Sequence, residues 1–297
     1  MGLFARLFGT NRAKSPESAK DAPPDFRFAG TRKALVVGID AYPGGNALRG
    51  CVNDSKEWWS TLTKKFDYDT RVLLNERATK ENILTRLRWL CEGTKKGDEI
   101  AFVYSGHGSR LRDRDGDELE DRLDECICPV DMSWDYALLD DEIAECLEKL
   151  HPEAFAWMIF DCCHSGTLTR NDPAGQPAEE PERLSRFLAP PFDIQVRAEG
   201  KTLPIHRLGT TLRQERKNVI SIAACQDNQT AAETKMGGVY RGAFSYIMLQ
   251  QINNGTLPTG LIVKETADTL KINYGQDPLL LAAPGLETTA ILGGPRP

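Results

Sequence analysis

The chain has 297 residues, of which 40% are hydrophobic, so it is long enough to bury the core of one large α/β domain or two small ones. Its formal net charge of −6 does not favour nucleic-acid binding, which needs a concentrated basic face, and no apolar run approaches the ~20 residues of a membrane span. The composition predicts a globular protein of enzyme size that neither binds nucleic acid nor spans a membrane.

The first 31 residues are expected to form a flexible leader. Residues 9–31 are polar, contain several prolines and have few periodic apolar positions. Residues 1–8 lack the apolar stretch and cleavage site of a signal peptide, although a weak contact with a membrane surface or a partner stays open for them. The folded domain is expected at 32–297.

Alternating strands and helices predict the fold class of that domain. Short apolar runs indicate buried strands, at 34–39, 70–74, 100–104, 155–160 and 218–224, and a short edge strand is expected at 288–292. Amphipathic spacing indicates helices at 54–66, 79–92, 140–149, 242–253 and 259–274. This order predicts an α/β fold, with a mostly parallel central sheet and helices on both faces.

The eight cysteines lack the spacing of a disulfide framework. Cys162 and Cys163 are adjacent, which suits a reducing compartment better than a secreted protein. A single residue separates Cys126 from Cys128, whereas the cysteines of a zinc knuckle usually have two or more residues between them. No second cysteine pair lies at a matching offset. The sequence therefore predicts a cytoplasmic protein without structural zinc.

Two short motifs directly follow two of the predicted strands. One is Tyr-Ser-Gly-His-Gly, which contains His107, and the other is Asp-Cys-Cys-His-Ser-Gly, which contains Cys163. The carboxyl ends of parallel strands face one crevice, so the two side chains are expected to meet there. A nearby histidine stabilises the thiolate that makes cysteine strongly nucleophilic. This predicts acyl transfer to Cys163, with the oxyanion held by the main-chain N–H groups of Gly108 and Cys163.

Simple packing is the alternative for either motif alone, because a free cysteine is often buried as a small hydrophobic residue. The placement of both motifs at strand ends favours the active-site interpretation. His164 is adjacent to Cys163 on a turn and should point elsewhere, so His107 is the expected base.

Together the two motifs resemble those of the metacaspases, which are caspase-like cysteine peptidases with prokaryotic relatives. The resemblance covers about residues 32–255. It implies a caspase-like three-layer sandwich, with 32–166 corresponding to a large subunit, 167–217 to a long loop and 218–297 to a small subunit. It also implies a His107 and Cys163 dyad and a monomeric endopeptidase that acts on proteins or peptides.

The resemblance further implies a substrate pocket lined by Cys51, Asp54, Ser105 and Asp161. A pocket that accepts a cation needs a carboxylate at its base, because an unpaired buried cation is costly. Capping of a helix N-terminus is the alternative for Asp54. The expected specificity is for peptide bonds after Arg or Lys and not after Asp.

Calcium is the expected activator. Carboxylates crowd residues 113–124, although the glycine is at the fourth position instead of the sixth of an EF-hand loop and Asp replaces its final Glu. Related metacaspases are often calcium-activated, and the ligands that the resemblance implies are Asp124, Asp140 and Asp141. A further acidic ligand of some members falls at Arg170, which departs from the pattern. A solvated acidic loop is the alternative.

The long loop is rich in proline and charge and could contain a self-cleavage site. Its basic candidates are Arg170, Arg183, Arg186, Arg197, Lys201, Arg207, Arg213, Arg216 and Lys217. Two other functions stay open. One is a non-catalytic caspase-like scaffold that binds partners in the presence of calcium, and the other is a different thiol peptidase, such as a separase-like or gingipain-like enzyme.

Overall fold

The computed structural model describes residues 30–112, 123–163, 183–191, 194, 217–226, 229–255 and 257–295, with only the main chain described at 112, 123 and 124. The strands in this part of the chain are β1 (Arg32–Gly38), β2 (Asp69–Leu74), β3 (Glu99–Ser105), β4 (Gly108–Arg112), β5 (Leu123–Ile127), β6 (Leu138–Leu139), β7 (Phe155–Asp161), β8 (Leu184–Ser185), β9 (Val219–Ala223), β10 (Ala232–Met236), β11 (Val239–Gly242) and β12 (Leu279–Ala282). The helices are α1 (Cys51–Phe66), α2 (Lys80–Cys91), α3 (Asp140–Leu147), α4 (Ala243–Asn254) and α5 (Thr259–Tyr274).

Six strands form the central sheet, in the order β12-β9-β7-β3-β1-β2. All neighbours in it are parallel except the pair of β12 and β9, which is antiparallel. Both faces of the sheet are covered, and this explains why the strands are near-continuous apolar runs in the sequence. The predicted mostly parallel α/β sheet is confirmed.

The side chains of each central strand alternate between two hydrophobic cores. Ala34 and Val36 of β1 face a core shared with α1, α4 and α5, whereas Leu35 and Val37 face a core shared with α2 and α3. Helices therefore cover both faces of the sheet, and the molecule has the three layers of the predicted sandwich.

Two small antiparallel sheets lie outside the central one, and the sequence analysis did not predict them. One has the order β4-β5-β6, and the other has the order β11-β10-β8. The predicted edge strand at 288–292 is wrong, because residues 286–288 and 291–293 form 3-10 turns and Leu292 has a φ of 52°, which a strand cannot contain. The last strand of the chain, β12, lies at one edge of the central sheet instead.

The described part of the leader is limited to its last two residues, which hydrogen bond to the segment before β3. The N–H of Gly30 donates to the carbonyl of Gly97 at 3.0 Å, and that of Thr31 donates to Asp98 at 2.7 Å. Residues 1–29 lie outside the described residues. None of the described helices is long and apolar enough to cross a bilayer. All eight cysteines are buried, and none is in a disulfide.

Candidate active site

The two motifs meet where β3 and β7 end. These strands are parallel neighbours, and Ser105 at the end of one pairs with Asp161 at the end of the other. His107 and Cys163 each follow two residues later. A Cβ atom at position 108 would stand 2.2 Å from the carbonyl oxygen of Cys163, so only glycine allows the two turns to approach this closely.

The His107 imidazole is buried, and its tautomer is fixed by the loop before α1. Its Nε2 lies 2.8 Å from the carbonyl oxygen of Asn46. Because a carbonyl only accepts hydrogen bonds, Nε2 carries the proton and Nδ1 is the basic nitrogen. Burial lowers the pKa of His107 below its ordinary value, and the nearby positive charge of Arg186 lowers it further, while the Asn46 carbonyl partly raises it. His107 is therefore a neutral base at neutral pH.

The Cys163 thiol is fully buried beside the main chain of residue 231. Its Sγ accepts a hydrogen bond from the N–H of Ala231 at 2.5 Å. A second thiol, Cys225, is a neighbour, and its pKa is raised first by a hydrogen bond with Cys163 and then by burial. Within the described residues no hydrogen bond joins Cys163 to His107. Instead, both residues border the main chain of Arg186.

The main chain of Arg186 lies across the two strand ends. Its carbonyl oxygen accepts hydrogen bonds from the N–H of Gly108 at 3.0 Å and from that of Cys163 at 3.3 Å. On one side of Arg186, β8 pairs antiparallel with β10, and on the other side the N–H of Leu188 donates to the carbonyl of Gly108 at 2.9 Å. The segment 184–188 is thus extended through the site, with one carbonyl held by two converging N–H groups.

The side chain of Arg186 is fully buried among three carboxylates. Its Nη1 lies 2.8 Å from Asp161, and its Nη2 lies 2.6 Å from Asp54 and 3.2 Å from Glu233. Burial by itself would lower the pKa of the guanidinium, but the carboxylates, Asp161 first, raise it well above its ordinary value. Arg186 therefore stays a cation in a negatively charged pocket.

Main-chain donors orient two of these carboxylates. The N–H of Gly242 donates to Asp54 at 3.0 Å, and that of Ser245 donates to Asp161 at 3.2 Å. Burial raises the pKa of Asp54 to about 7, although Arg186 opposes the increase. The capping alternative for Asp54 is wrong, because α1 begins after Gly50 and Asp54 lies inside the helix with its side chain on Arg186.

The other two residues of the expected pocket lie beside it without bonding the guanidinium. The Cys51 thiol lies 3.8 Å from Glu233, and burial raises its pKa well above the ordinary value. Ser105 is buried next to Asp161, and its hydroxyl has no hydrogen-bond partner among the residues that the structure describes. The sequence analysis missed Glu233 and Gly242, and it named Arg186 only as one of nine basic residues in the loop.

The expected calcium ligands lie at another edge of the fold. Asp140 and Asp141 begin α3, and the side chain of Asp124 lies outside the described residues. Asp140 and Glu125 line one cavity of about 120 Å³. Carboxylate oxygens are the ligands that Ca²⁺ prefers, so the residue types of the expected set suit the ion, whereas the rest of the cavity lining, which includes Ile127, Met158 and Phe160, is mostly apolar. Among the described side chains, the one group of three possible ligands within 4.8 Å is Asp40, Cys51 and Glu233, beside the pocket of Arg186.

Comparison with known proteins gave consistent matches. The family model "Metacaspase, peptidase C14 domain" matches residues 32–171. The chain is 31% identical over 285 residues to Metacaspase-1 of Meyerozyma guilliermondii, with 85% of this chain and 69% of that protein covered. It is 31% identical over 282 residues to Metacaspase-2 of Trypanosoma brucei brucei, with 86% and 74% covered. The crystal structure of protein GSU0716 from Geobacter sulfurreducens shares the fold, with a TM-score of 0.66 and 21% identity over 90% of this chain and 100% of that one.

Proposed function

The chain belongs to the metacaspases, a family of cysteine-type endopeptidases, and we propose that it cleaves peptide bonds after arginine or lysine. The position of Arg186 is the observation that carries this specificity. Its side chain pairs with Asp54, Asp161 and Glu233 while its carbonyl binds the N–H groups beside the Cys163 thiol. An arginine held in this way has the arrangement of a substrate residue before a scissile bond.

The chemistry follows from the groups around that carbonyl. The Cys163 thiol loses its proton to Nδ1 of His107, and the thiolate attacks the carbonyl carbon. The negative charge that develops on the oxygen is stabilised by the N–H groups of Gly108 and Cys163. The carbon–nitrogen bond breaks, the leaving amine takes the proton from His107, and water hydrolyses the thioester.

Hydrolysis of three peptides tests the specificity. The peptides are identical except for Arg, Lys or Asp before the scissile bond, and they are assayed with and without added calcium. We expect the wild type to cleave the Arg and Lys peptides and Cys163→Ala to cleave none. Preferential cleavage of the Asp peptide would overturn the assignment of the pocket, and activity that survives in Cys163→Ala would overturn that of the nucleophile.

We further propose that the Arg186–Phe187 bond is a self-cleavage site. Its carbonyl is held by two N–H groups, and the residues on both sides of it pair with β10 and with Gly108. The other basic candidates that the structure describes, Arg183 and Lys217, make no such contacts with described residues. Candidates at 170, 197, 201, 207, 213 and 216 lie outside the described residues.

Mass spectrometry of the purified protein tests this cleavage. We expect wild-type fragments that end at Arg186 and begin at Phe187, and an intact chain for both Cys163→Ala and Arg186→Gln. Arg183→Gln is the matched control and should be cut like the wild type. Cleavage at this bond in Cys163→Ala would show that a contaminating protease is responsible.

Calcium activation is proposed from the carboxylates of Asp124, Asp140 and Asp141. When bound, the ion would supply positive charge that neutralises the mutual repulsion of these carboxylates. Asp140→Asn should need more calcium for half-maximal activity, whereas Asp268→Asn, on the exposed surface of α5, should not. An unchanged calcium response in Asp140→Asn would contradict this ligand set.

We also propose that the enzyme acts as a monomer in the cytoplasm on protein substrates. Eight buried cysteines without a disulfide support a reducing compartment. Sedimentation of Cys163→Ala at assay concentrations should give the mass of one chain, and a dimer would contradict the monomer.

A further inference from the structure

We propose that Glu233 makes the pocket selective for arginine over lysine, an inference that rests on the proposed function. Glu233 lies on β10, the strand that pairs with the substrate-like β8, whereas Asp54 comes from α1 and Asp161 from the end of β7. It enters the pocket as a third, fully buried carboxylate.

The orientation of Glu233 is fixed by the pocket wall. One carboxylate oxygen accepts a hydrogen bond from the N–H of Arg49 at 2.7 Å, and the other lies 3.8 Å from the Cys51 thiol. The second oxygen also lies 3.2 Å from Nη2 of Arg186. Because the wall already holds the carboxylate, a guanidinium gains this contact without ordering another side chain.

The three carboxylates are arranged for a forked cation. Asp161 bonds Nη1, while Asp54 and Glu233 share Nη2, so the contacts require two separate nitrogens. A lysine side chain has one terminal nitrogen, which ends at the depth of the arginine Cζ, one bond short of both Nη atoms. Glu233 makes the longest of the three ion pairs, and an ammonium group at that depth loses this contact first.

Peptide hydrolysis by Glu233→Gln tests the inference. We expect kcat/KM to fall about tenfold or more for the Arg peptide and less than about threefold for the Lys peptide, because hydrogen bonds to charged groups contribute at this level. Glu153→Gln, on the exposed surface, is the matched control and should keep the wild-type ratio. An equal fall for both peptides would mean that Glu233 only supports the loop of Arg49 and Cys51, which overturns the inference.

A measurement that needs no catalysis separates this inference from the proposed function. In the Cys163→Ala protein, Arg186→Lys and Glu233→Gln are introduced singly and together, and the rate of cutting after residue 186 by trypsin is measured. Rates are divided by those of free peptides of residues 183–191 to remove the preference of trypsin itself. We expect Glu233→Gln to accelerate cutting about tenfold when residue 186 is Arg and less than about threefold when it is Lys.

The outcomes of the two experiments are distinct. A tenfold acceleration of trypsin cutting for Arg against less than about threefold for Lys, without any hydrolysis of Arg or Lys peptides, would sustain the role of Glu233 while the proposed function fails. Equal acceleration of cutting for both side chains would overturn the role of Glu233, even in an enzyme that cleaves the Arg and Lys peptides.

Discussion

At the scale of single residues, Arg186 connects the two halves of the site. Its carbonyl is held by Gly108 and Cys163, and its guanidinium is held by Asp54 and Asp161. A buried cation is tolerated only when it is paired, so these contacts depend on each other. The same residue therefore contacts the acidic pocket with its side chain and the main chain of the nucleophile with its carbonyl.

Gly242 sets the space available to the guanidinium. A Cβ atom there would stand 2.3 Å from Oδ2 of Asp161 and 2.5 Å from Nη1 of Arg186. We expect Gly242→Ala to lower kcat/KM for Arg peptides by about two orders of magnitude, since misplacement of about 1 Å has effects of this size. Gly255→Ala, where the nearest atom is 3.9 Å away, is the control and should be as active as the wild type. Full activity of Gly242→Ala would show that substrates do not use this pocket.

Asp54 gives the free energy of unfolding a pH dependence. Its pKa is about 7 in the folded protein against an ordinary 3.8, so the folded state keeps a proton that the unfolded state releases first. Its contribution to stability is therefore full below about pH 4 and is lost as the pH rises to about 7. Denaturant unfolding at several pH values should show this loss in the wild type and in Asp268→Asn but not in Asp54→Asn. The same slope in all three proteins would contradict the raised pKa.

At the scale of secondary structure, the apolar runs of the sequence were sufficient to predict the parallel strands of the central sheet. Burial on both faces selects continuous runs such as Ile100–Tyr104, and the strand and helix order then predicts the parallel sheet. The small sheets were missed because their strands are short and polar; β10, for example, contains Glu233 and Lys235. The edge strand was misplaced because Ile291 and Leu292 are apolar, yet they pack into the core from a turn.

The candidate site was only partly predictable from the sequence, because some of its residues come from distant segments. Strand-end placement brought together His107, Cys163 and Asp161, because the ends of parallel strands share one edge. Glu233 and Arg186 reach the same pocket from distant segments, and no periodic pattern marks them. Their roles depend on the pairing of β8 with β10, which sequence spacing does not reveal.

A buried ion pair stabilises the end of the central sheet at which β1 and β3 begin, opposite the candidate active site. Arg32 at the start of β1 bonds Glu99 at the start of β3 at 2.6 Å, and its other nitrogens bond the carbonyls of Phe66, Gly293 and Gly294. It thereby joins two strands, the end of α1 and the C-terminal turn.

Removal of this pair should be costly. We expect Arg32→Met to lower the free energy of unfolding by about 3–5 kcal/mol, because it leaves the buried Glu99 without its cation. Lys96→Met removes the exposed pair with Glu153 and should leave the unfolding free energy unchanged within error. Denaturant titration measures the free energy of unfolding of both variants. Equal effects of the two substitutions would contradict a stabilising role of the buried pair of Arg32 and Glu99.

At the scale of the whole molecule, the chain holds its own segment where a substrate would lie. The segment 184–188 contacts β10 on one side and Gly108 on the other, and its Arg186 carbonyl accepts a hydrogen bond from the N–H of Cys163. An external peptide must displace it. Under the proposed function, the uncut protein is therefore latent, and cleavage after Arg186 frees the new end to leave the pocket.

Active-site labelling tests most directly whether the thiol and the acidic pocket form one site. Two peptidyl chloromethyl ketones that differ only in Arg or Asp at the last residue are added to the enzyme, and the adduct is mapped by mass spectrometry. We predict an adduct on Cys163 with the Arg reagent, little with the Asp reagent, and none on Cys163→Ala. Equal labelling by both reagents, or an Arg adduct on Cys225 instead, would contradict the account.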